Sequence, residues 1–344
     1  MALPAQRKPA CTGSNTRLHP GQLRTYPAAR SSGGRMKAPN TFLIGAPKCG
    51  TTALSEYLGT HPRVFMCQPK EPHFFGTDMR AYGCCADAGA YGALFDAADA
   101  QHEVVMEASV LYLYSDDAVP NILAACPAAR FIVMLRHPVD YLHAFHSQLL
   151  LNADEWIEDF DSAWRASRDG TRDAEQVRTN CRIPKLLDYP AVGRLGEQVQ
   201  RLLGQVDRER VHFIFFEDFS ADTAGEYRRV LDFLGLENDG RENFDVIHSN
   251  KVNRIVWLGK WRKRQQGPLI RAWIKFKLAV GLRHLSLTGW LHRLNRKPQM
   301  RNQIDTELRD DLLQFFHDDI HALQAATGRD LRHWLKTAPT TRSD

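Results

Sequence analysis

Between Gly45 and Thr52 the chain reads GAPKCGTT, which places two glycines at the spacing of a phosphate-gripping loop. In the common nucleotide-binding form, G-x-x-x-x-G-K-[ST], the lysine follows the second glycine. Here Thr51 follows Gly50, and the lysine is Lys48, inside the loop. A strand before the loop and a helix after it would aim free backbone N–H groups and the helix dipole at an anion. Gly50 permits close backbone approach, and Thr51 and Thr52 add hydroxyls. The candidate binding wall is therefore Pro47, Lys48, Cys49, Gly50, Thr51, Thr52 and Ala53.

A magnesium-dependent phosphoryl-transfer site of this type wants a carboxylate at the end of a second buried strand. The strand-like run FIVML at 131–135 ends instead in Arg136-His137-Pro138. Two cationic centres, Lys48 and Arg136, suit a ligand with phosphate at two separated positions and a transferred group that needs no metal. Glu71 is the candidate general base. It lies between Lys70 and Pro72, just before Phe74-Phe75, whose apolar bulk is expected to raise its pKa. His73 competes for that role, and Glu107 is a further carboxylate at a strand end.

These residues need a scaffold. Apolar runs of strand character lie at 41–46, 64–67, 103–107, 131–135 and 211–216, with helical patterns at 51–59, about 115–125, 138–151, 193–205 and 222–234. Within the first helical pattern, Ala53 begins a face formed by Leu54, Tyr57 and Leu58. Near-continuous apolar strands alternating with helices predict the α/β class, with a P-loop-like parallel sheet flanked by helices. Further helical stretches within 255–295 and at 305–326 predict a helical, basic C-terminal part. Residues 1–38, rich in Pro, Gly, Ser and Arg without apolar periodicity, read as a disordered, dispensable leader, with Met36 an alternative start. The expected division is leader 1–38, one domain 39–337 and a tail 338–344.

Charge is unevenly placed behind a net +5. Residues 1–40 hold seven Lys/Arg and no acid, residues 246–304 hold fourteen and none, and the remainder is acidic. The later basic segment interleaves Trp257, Trp261, Trp273, Phe276 and Trp290 with cations over 254–297. Such a pattern points to an anionic polymer, a sugar platform or peripheral membrane contact, or else to helices packing tryptophans on a core. No nucleic-acid motif accompanies it. No apolar run approaches the roughly 18 residues of a membrane span. The seven cysteines are odd in number and lack metal-ligand spacing, and adjacent Cys84 and Cys85 do not readily form a structural bridge. A reduced, cytoplasmic compartment is expected.

With these residues in view, the chain resembles the sulfotransferases that use 3′-phosphoadenosine 5′-phosphosulfate (PAPS), in particular the heparan sulfate glucosaminyl branch and its bacterial relatives. PKCGTTAL (47–54) resembles their 5′-phosphosulfate loop, and RHPVDYLHAFHSQ (136–148) their 3′-phosphate motif, R-x-P-x-x-R-x-x-S. KEPHFF (70–75) is similar to the segment bearing the catalytic glutamate. MEASVLYLY (106–114), DFLGL (232–236) and LLQFFHDDIHALQAATGRDLRHWL (312–335) follow in the family's order, so the likeness covers about residues 39–337. Two motif positions depart from it: Tyr141 stands for the usual arginine and Ala144 for the usual serine, with Ser147 one turn further on as a substitute. Ala108 stands where relatives often have lysine.

The resemblance implies roles. Lys48 would stabilise the bridging oxygen as the product 3′-phosphoadenosine 5′-phosphate (PAP) departs, and Glu71 would take the acceptor's proton. Arg136 and Ser147 would hold the 3′-phosphate, and Lys297 would lie on a loop capping the nucleotide. Lys70, His73 and Glu107 would meet the acceptor, a hydroxyl or amine of a carbohydrate or glycolipid, with no metal required. Two rivals stand beside it: a P-loop kinase, which needs magnesium and ATP, and a non-catalytic polyanion-binding protein using residues 254–297, for which Ala144 is the favouring feature.

Overall fold

The apolar runs become five parallel strands: β1 Thr41–Gly45, β2 Val64–Met66, β3 Val104–Ala108, β4 Arg130–Leu135 and β5 Val211–Phe215. They hydrogen-bond in the order β2-β3-β1-β4-β5. The protein is seen in a computed structural model that describes residues 38–245 and 304–336, with the backbone of the two-residue strands Arg30–Ser31, Gly34–Arg35, Val252–Asn253 and Arg296–Lys297. Each of the five strands lies within a residue or two of its expected bounds, and β1, β3 and β4 carry the buried runs that a sheet covered on both faces requires.

The helices also follow the pattern. Helix α1 is Thr51–Leu58, α2 Ala118–Ala125, α3 Pro138–Asn152, α4 Leu195–Leu203, α5 Thr223–Leu234 and α6 Thr306–Thr327. Helix α1 starts at Thr51, at the first residue of its sequence pattern, and buries Leu54, Tyr57 and Leu58. The short helices Phe160–Arg168, Ala174–Asn180 and Tyr189–Gly193 were not expected from the sequence. The helical stretch foreseen within 255–295 lies outside the described residues, as do the side chains of the leader. Among the described residues no helix is long and apolar enough to cross a membrane.

Among the described residues the chain falls into two compact units. The first takes in residues 38–141, 194–245 and 315–336 and contains the whole five-stranded sheet. Phe42, Phe131, Leu43 and Ile44 are fully buried at its centre. Its C-terminal turn is tied down by Trp334, whose indole N–H donates to Glu217 Oε1 at 2.7 Å while its carbonyl oxygen lies 3.0 Å from His137 Nε2. The second takes in residues 142–193 and 304–314. Buried Glu155 there accepts from Arg172 Nη2 at 2.7 Å and from the Tyr189 hydroxyl at 2.6 Å, so its charge is compensated in place.

In the first unit the chain order runs to one side of β1 through β2 and β3, then changes to the other side with β4 and β5. Ligands of open α/β sheets bind outside the carboxyl ends of the strands at such a switch. Both the loop after β1 and Arg136, the first residue after β4, lie there.

Candidate active site

The loop after β1 reaches α1 through Gly50, whose φ of 89° is open to glycine and strained for other residues. A Cβ at Gly50 would stand 3.2 Å from the Phe219 ring and 3.3 Å from Met134 Cε, so space and dihedral select the same residue. Helical bonding begins with Leu54 N–H donating to Gly50 O, which leaves the amides of Thr51, Thr52 and Ala53 without intrahelical partners. Cys49 turns inward: it is fully buried, and burial pushes its thiol up to about 12. Pro47 is also buried, so Cys49 and Pro47 shape the loop with their side chains packed inside.

Arg136 closes one side of this loop. Its Nη1 donates to the Lys48 carbonyl at 3.2 Å, and its guanidinium lies over the Phe216 ring at 4.5 Å. A guanidinium held from both sides keeps its fork in one plane, as recognition of a phosphate by two parallel bonds requires. Sequence reasoning missed Phe216, which the chain order separates widely from Arg136.

The segment after β2 supplies the other side. Glu71 N–H donates to Ala108 O at 3.0 Å, so the segment crosses the carboxyl end of β3. His73 N–H donates to the Ser109 hydroxyl at 3.0 Å, and Ser109 in turn donates to Glu107 Oε1 at 2.6 Å. Glu107 is wholly buried and also accepts from the Tyr91 hydroxyl. This corrects the expectation that Glu107 meets the acceptor: its carboxylate is inside the protein, anchoring the backbone that carries His73. Burial raises its pKa against the hydrogen bonds of Ser109, Tyr91 and Tyr112. Ser109, two residues beyond Glu107 and on the same side by strand periodicity, was legible but overlooked.

Lys70 joins the two sides. Its ammonium lies 3.4 Å from the hydroxyls of both Thr51 and Thr52 and 3.2 Å from Glu71 Oε1. It therefore contacts both the loop after β1 and the carboxylate. The other carboxylate oxygen, Oε2, is 3.3 Å from His73 Nε2. His73 is 3% exposed, and its Nδ1 is buried without a hydrogen-bond partner among the described residues. Burial pushes the Glu71 carboxyl up, but the hydrogen bond with His73 and the charge of Lys70 outweigh it and hold it down at about 2. The expected upward shift is thus reversed. Phe74 stacks on Tyr91 at 4.3 Å and Phe75 packs edge-on to Phe42 at 5.9 Å, so both rings serve the core while Lys70 and the His73 hydrogen bond set the carboxylate.

Four non-glycine residues have positive φ among the described residues: Lys48 at 64°, Glu71 at 65°, His73 at 48° and Ala153. Three are candidate site residues. Such backbone costs on the order of 1–3 kcal/mol per residue and persists where surrounding structure imposes it. Together the loop amides, Thr51, Thr52, Lys70 and Arg136 can hold anionic groups, and an ionised Glu71 beside them can accept a proton.

Two further expected residues make their own local contacts. Ser147 donates its hydroxyl to the His143 carbonyl at 3.0 Å, one turn back in α3, and lies in the second unit. Tyr141 and Ala144, the departures from the 3′-phosphate motif, are both buried. The backbone of Lys297 pairs with Val252, while its side chain lies outside the described residues, as does the remainder of 254–297 apart from Arg296.

An α/β sheet with a loop carrying Lys48 and Gly50 after its first strand defines the class, and the sequence places the chain within it. The profile of the sulfotransferase domain family matches residues 38–271, and the chain belongs to that family. It is 29% identical over 249 residues to heparan sulfate glucosamine 3-O-sulfotransferase 6 of Mus musculus, covering 68% of this chain and 61% of that protein. It is 28% identical over 220 residues to the Homo sapiens protein of the same name, covering 60% of this chain and 55% of that protein. The chain thus spans less than two thirds of the length of these curated relatives. A crystal structure of a sulfotransferase from Alicyclobacillus acidocaldarius superposes with a TM-score of 0.61 at 26% identity, covering 87% of this chain and 100% of that one.

Proposed function

We propose that the chain transfers the sulfuryl group of PAPS to a hydroxyl or amine of a carbohydrate or glycolipid and releases PAP. The observation that carries the reading is the meeting of Lys70, Thr51, Thr52 and ionised Glu71 at the mouth of the loop that holds Lys48. Family membership supports sulfuryl transfer, and the heparan sulfate glucosamine relatives support a carbohydrate acceptor.

In this reading the free amides of Thr51, Thr52 and Ala53 bind the 5′-phosphosulfate, and Arg136 binds the 3′-phosphate through its fork. Glu71, kept anionic, takes the acceptor's proton as its oxygen or nitrogen bonds to sulfur. The bond from sulfur to the bridging oxygen breaks in line, and Lys48 stabilises the charge gathering on that oxygen. A sulfuryl group carries less charge than a phosphoryl group, so lysines and backbone amides suffice to position and stabilise it. Lys70 bridges the two halves by holding Glu71 ionised next to the loop hydroxyls, and His73 orients the carboxylate through Nε2.

The test is ligand selectivity with transfer. PAP should raise the melting temperature without added metal, by an amount corresponding to about 2.7 kcal/mol at 100 times its Kd. Radiolabelled PAPS should then label a heparan-type oligosaccharide or a glycolipid panel. Stabilisation by ATP with magnesium and none by PAP would overturn the reading.

A further inference from the structure

Cys84 and Cys85 lie beside the Glu71–His73 segment, and the proposed transfer chemistry uses neither. In an extended strand successive side chains point to opposite faces. In the irregular stretch after Tyr82 the two thiols are instead turned together, with their sulfurs 3.6 Å apart and both residues partly exposed. Neither is in a disulfide.

Three contacts tie this pair to the site. Cys84 N–H donates to Pro72 O at 3.2 Å. A Cβ added at Gly83 would stand 3.4 Å from Pro72 O and 3.5 Å from His73 O, so the two backbones are in contact there. The Tyr82 ring lies 6.3 Å from the imidazole of His73. A change at Cys84–Cys85 therefore acts directly on the backbone that presents Glu71 and His73.

We propose that Cys84 and Cys85 are a thiol–disulfide exchange site for low-molecular-weight disulfides of the glutathione type, and that its closure loosens the 71–73 segment. The Cys84 thiolate attacks one sulfur of the external disulfide and forms a mixed disulfide, releasing one small thiolate. Cys85 gives up its proton, attacks Cys84 Sγ and expels the second small thiolate. Two protein thiols are oxidised by two electrons, one external disulfide is reduced, and its two thiolates take up the two protons. Closure must shorten the sulfur separation from 3.6 Å to the bonded distance of about 2.05 Å. The resulting ring constrains the 84–85 peptide and shifts the Cys84 amide relative to Pro72 O. Strained, exposed disulfides are the readily reversed ones, which suits a site that opens again on reduction.

The thiols differ in readiness to react. A hydrogen bond with Cys85 outweighs burial and lowers the Cys84 thiol to about 7, making it substantially ionised near neutral pH. Burial pushes the thiols of Cys49, Cys67 and Cys126 the other way.

The test treats the full chain with oxidised glutathione near pH 7, blocks remaining thiols by alkylation and maps peptides by mass. The peptide spanning 84–85 should be two hydrogens lighter and resist alkylation until dithiothreitol is added. Cys85→Ser should trap a glutathione adduct on Cys84, and Cys84→Ser should leave Cys85 reacting several-fold more slowly. Hydrogen exchange should show the amides of Glu71 and Cys84 losing protection on closure and regaining it on reduction. Absence of the 84–85 bridge, or its replacement by bridges between chains, overturns the exchange site; a bridge with unchanged exchange at both amides overturns the link to the segment. Neither readout involves PAP or transfer, so failure here is distinct from failure of the sulfotransferase reading.

Discussion

The imidazole of His73 stands 3.3 Å from one carboxylate oxygen of Glu71, while Lys70 stands 3.2 Å from the other. A carboxylate gripped on both oxygens is fixed in direction and in charge. The family logic of a general base is commonly satisfied by raising a carboxyl pKa toward neutrality. Here the direction is opposite, and the carboxyl is held at about 2. In the proposed role of base such a carboxylate would be always ready but intrinsically weak, so the acceptor's proton would leave late, as the bond to sulfur forms.

Replacing Glu71 by Gln tests this. The amide keeps size and one hydrogen-bond acceptor but cannot take a proton. PAP affinity should stay within a few fold, and transfer should fall by roughly 10²-fold or more. His73→Ala should cost less, since it removes an orienting contact. Equal loss of PAP affinity and transfer in E71Q would mark Glu71 as structural.

The pH dependence follows from the same contacts. A carboxyl whose pKa is lowered on folding stabilises the native state above its unfolded value near 4.5, and that contribution is lost as pH falls through about 2. Activity should therefore show no acid limb from Glu71 above about pH 4. Lys70→Met removes the ammonium from Glu71 and from both threonine hydroxyls. It should move such a limb up toward pH 4.5 and weaken PAP binding together. A pH–rate profile with a thermal-shift titration reads both, and a change in one alone separates Lys70's two contacts.

Arg136→Ala should weaken PAP binding by about 10- to 100-fold, since a hydrogen bond to a charged group contributes about 1.5–3 kcal/mol. Adenosine 5′-phosphosulfate has no 3′-phosphate and should lose far less. Because Arg136 also donates to Lys48 O and lies over Phe216, an equal loss for both ligands would show that it shapes the loop instead.

Gly50→Ala tests the loop backbone. At φ 89° an alanine costs about 1–2 kcal/mol, and its Cβ meets the Phe219 ring at 3.2 Å. A fall of about 2–6 °C in Tm with loss of PAP stabilisation is expected. Unchanged PAP stabilisation would mean that the ligand does not rest on these amides.

The sheet was readable because β1, β3 and β4 are buried on both faces and so read as continuous apolar runs. Ala174–Asn180 was not, because it buries no residue and has no apolar face to detect. In the site, loop spacing announced Lys48 and the strand ends announced Arg136 and Glu107. Their surroundings were hidden. Phe74 and Phe75 sit next to Glu71 in sequence but pack into the core, while the His73 hydrogen bond and the Lys70 charge govern Glu71. Positive φ at Lys48 and Glu71 has no sequence signature, since both are residue types that usually avoid it, and His73 belongs to a type only enriched there.

Glu107 separates structural from chemical loss. It is wholly buried and accepts from Ser109 and Tyr91, and Ser109 holds the amide of His73. Glu107→Ala removes the buried acceptor that the Ser109 and Tyr91 hydroxyls share and opens a void, which should cost on the order of 3 kcal/mol and lower Tm markedly. Glu107→Gln keeps an acceptor for Ser109 and should cost less. The pKa of Glu107 is raised on folding, so burial of the ionised form opposes folding as pH rises above its ordinary value of 4.5. The Gln variant should flatten that part of the stability–pH curve. PAP binding should survive in both variants at temperatures where they remain folded, because the loop after β1 is untouched. Transfer should fall only as far as the 71–73 segment loosens, with Ala worse than Gln. A folded Glu107→Gln protein that binds PAP normally yet transfers at the level of E71Q would place Glu107 in the chemistry after all.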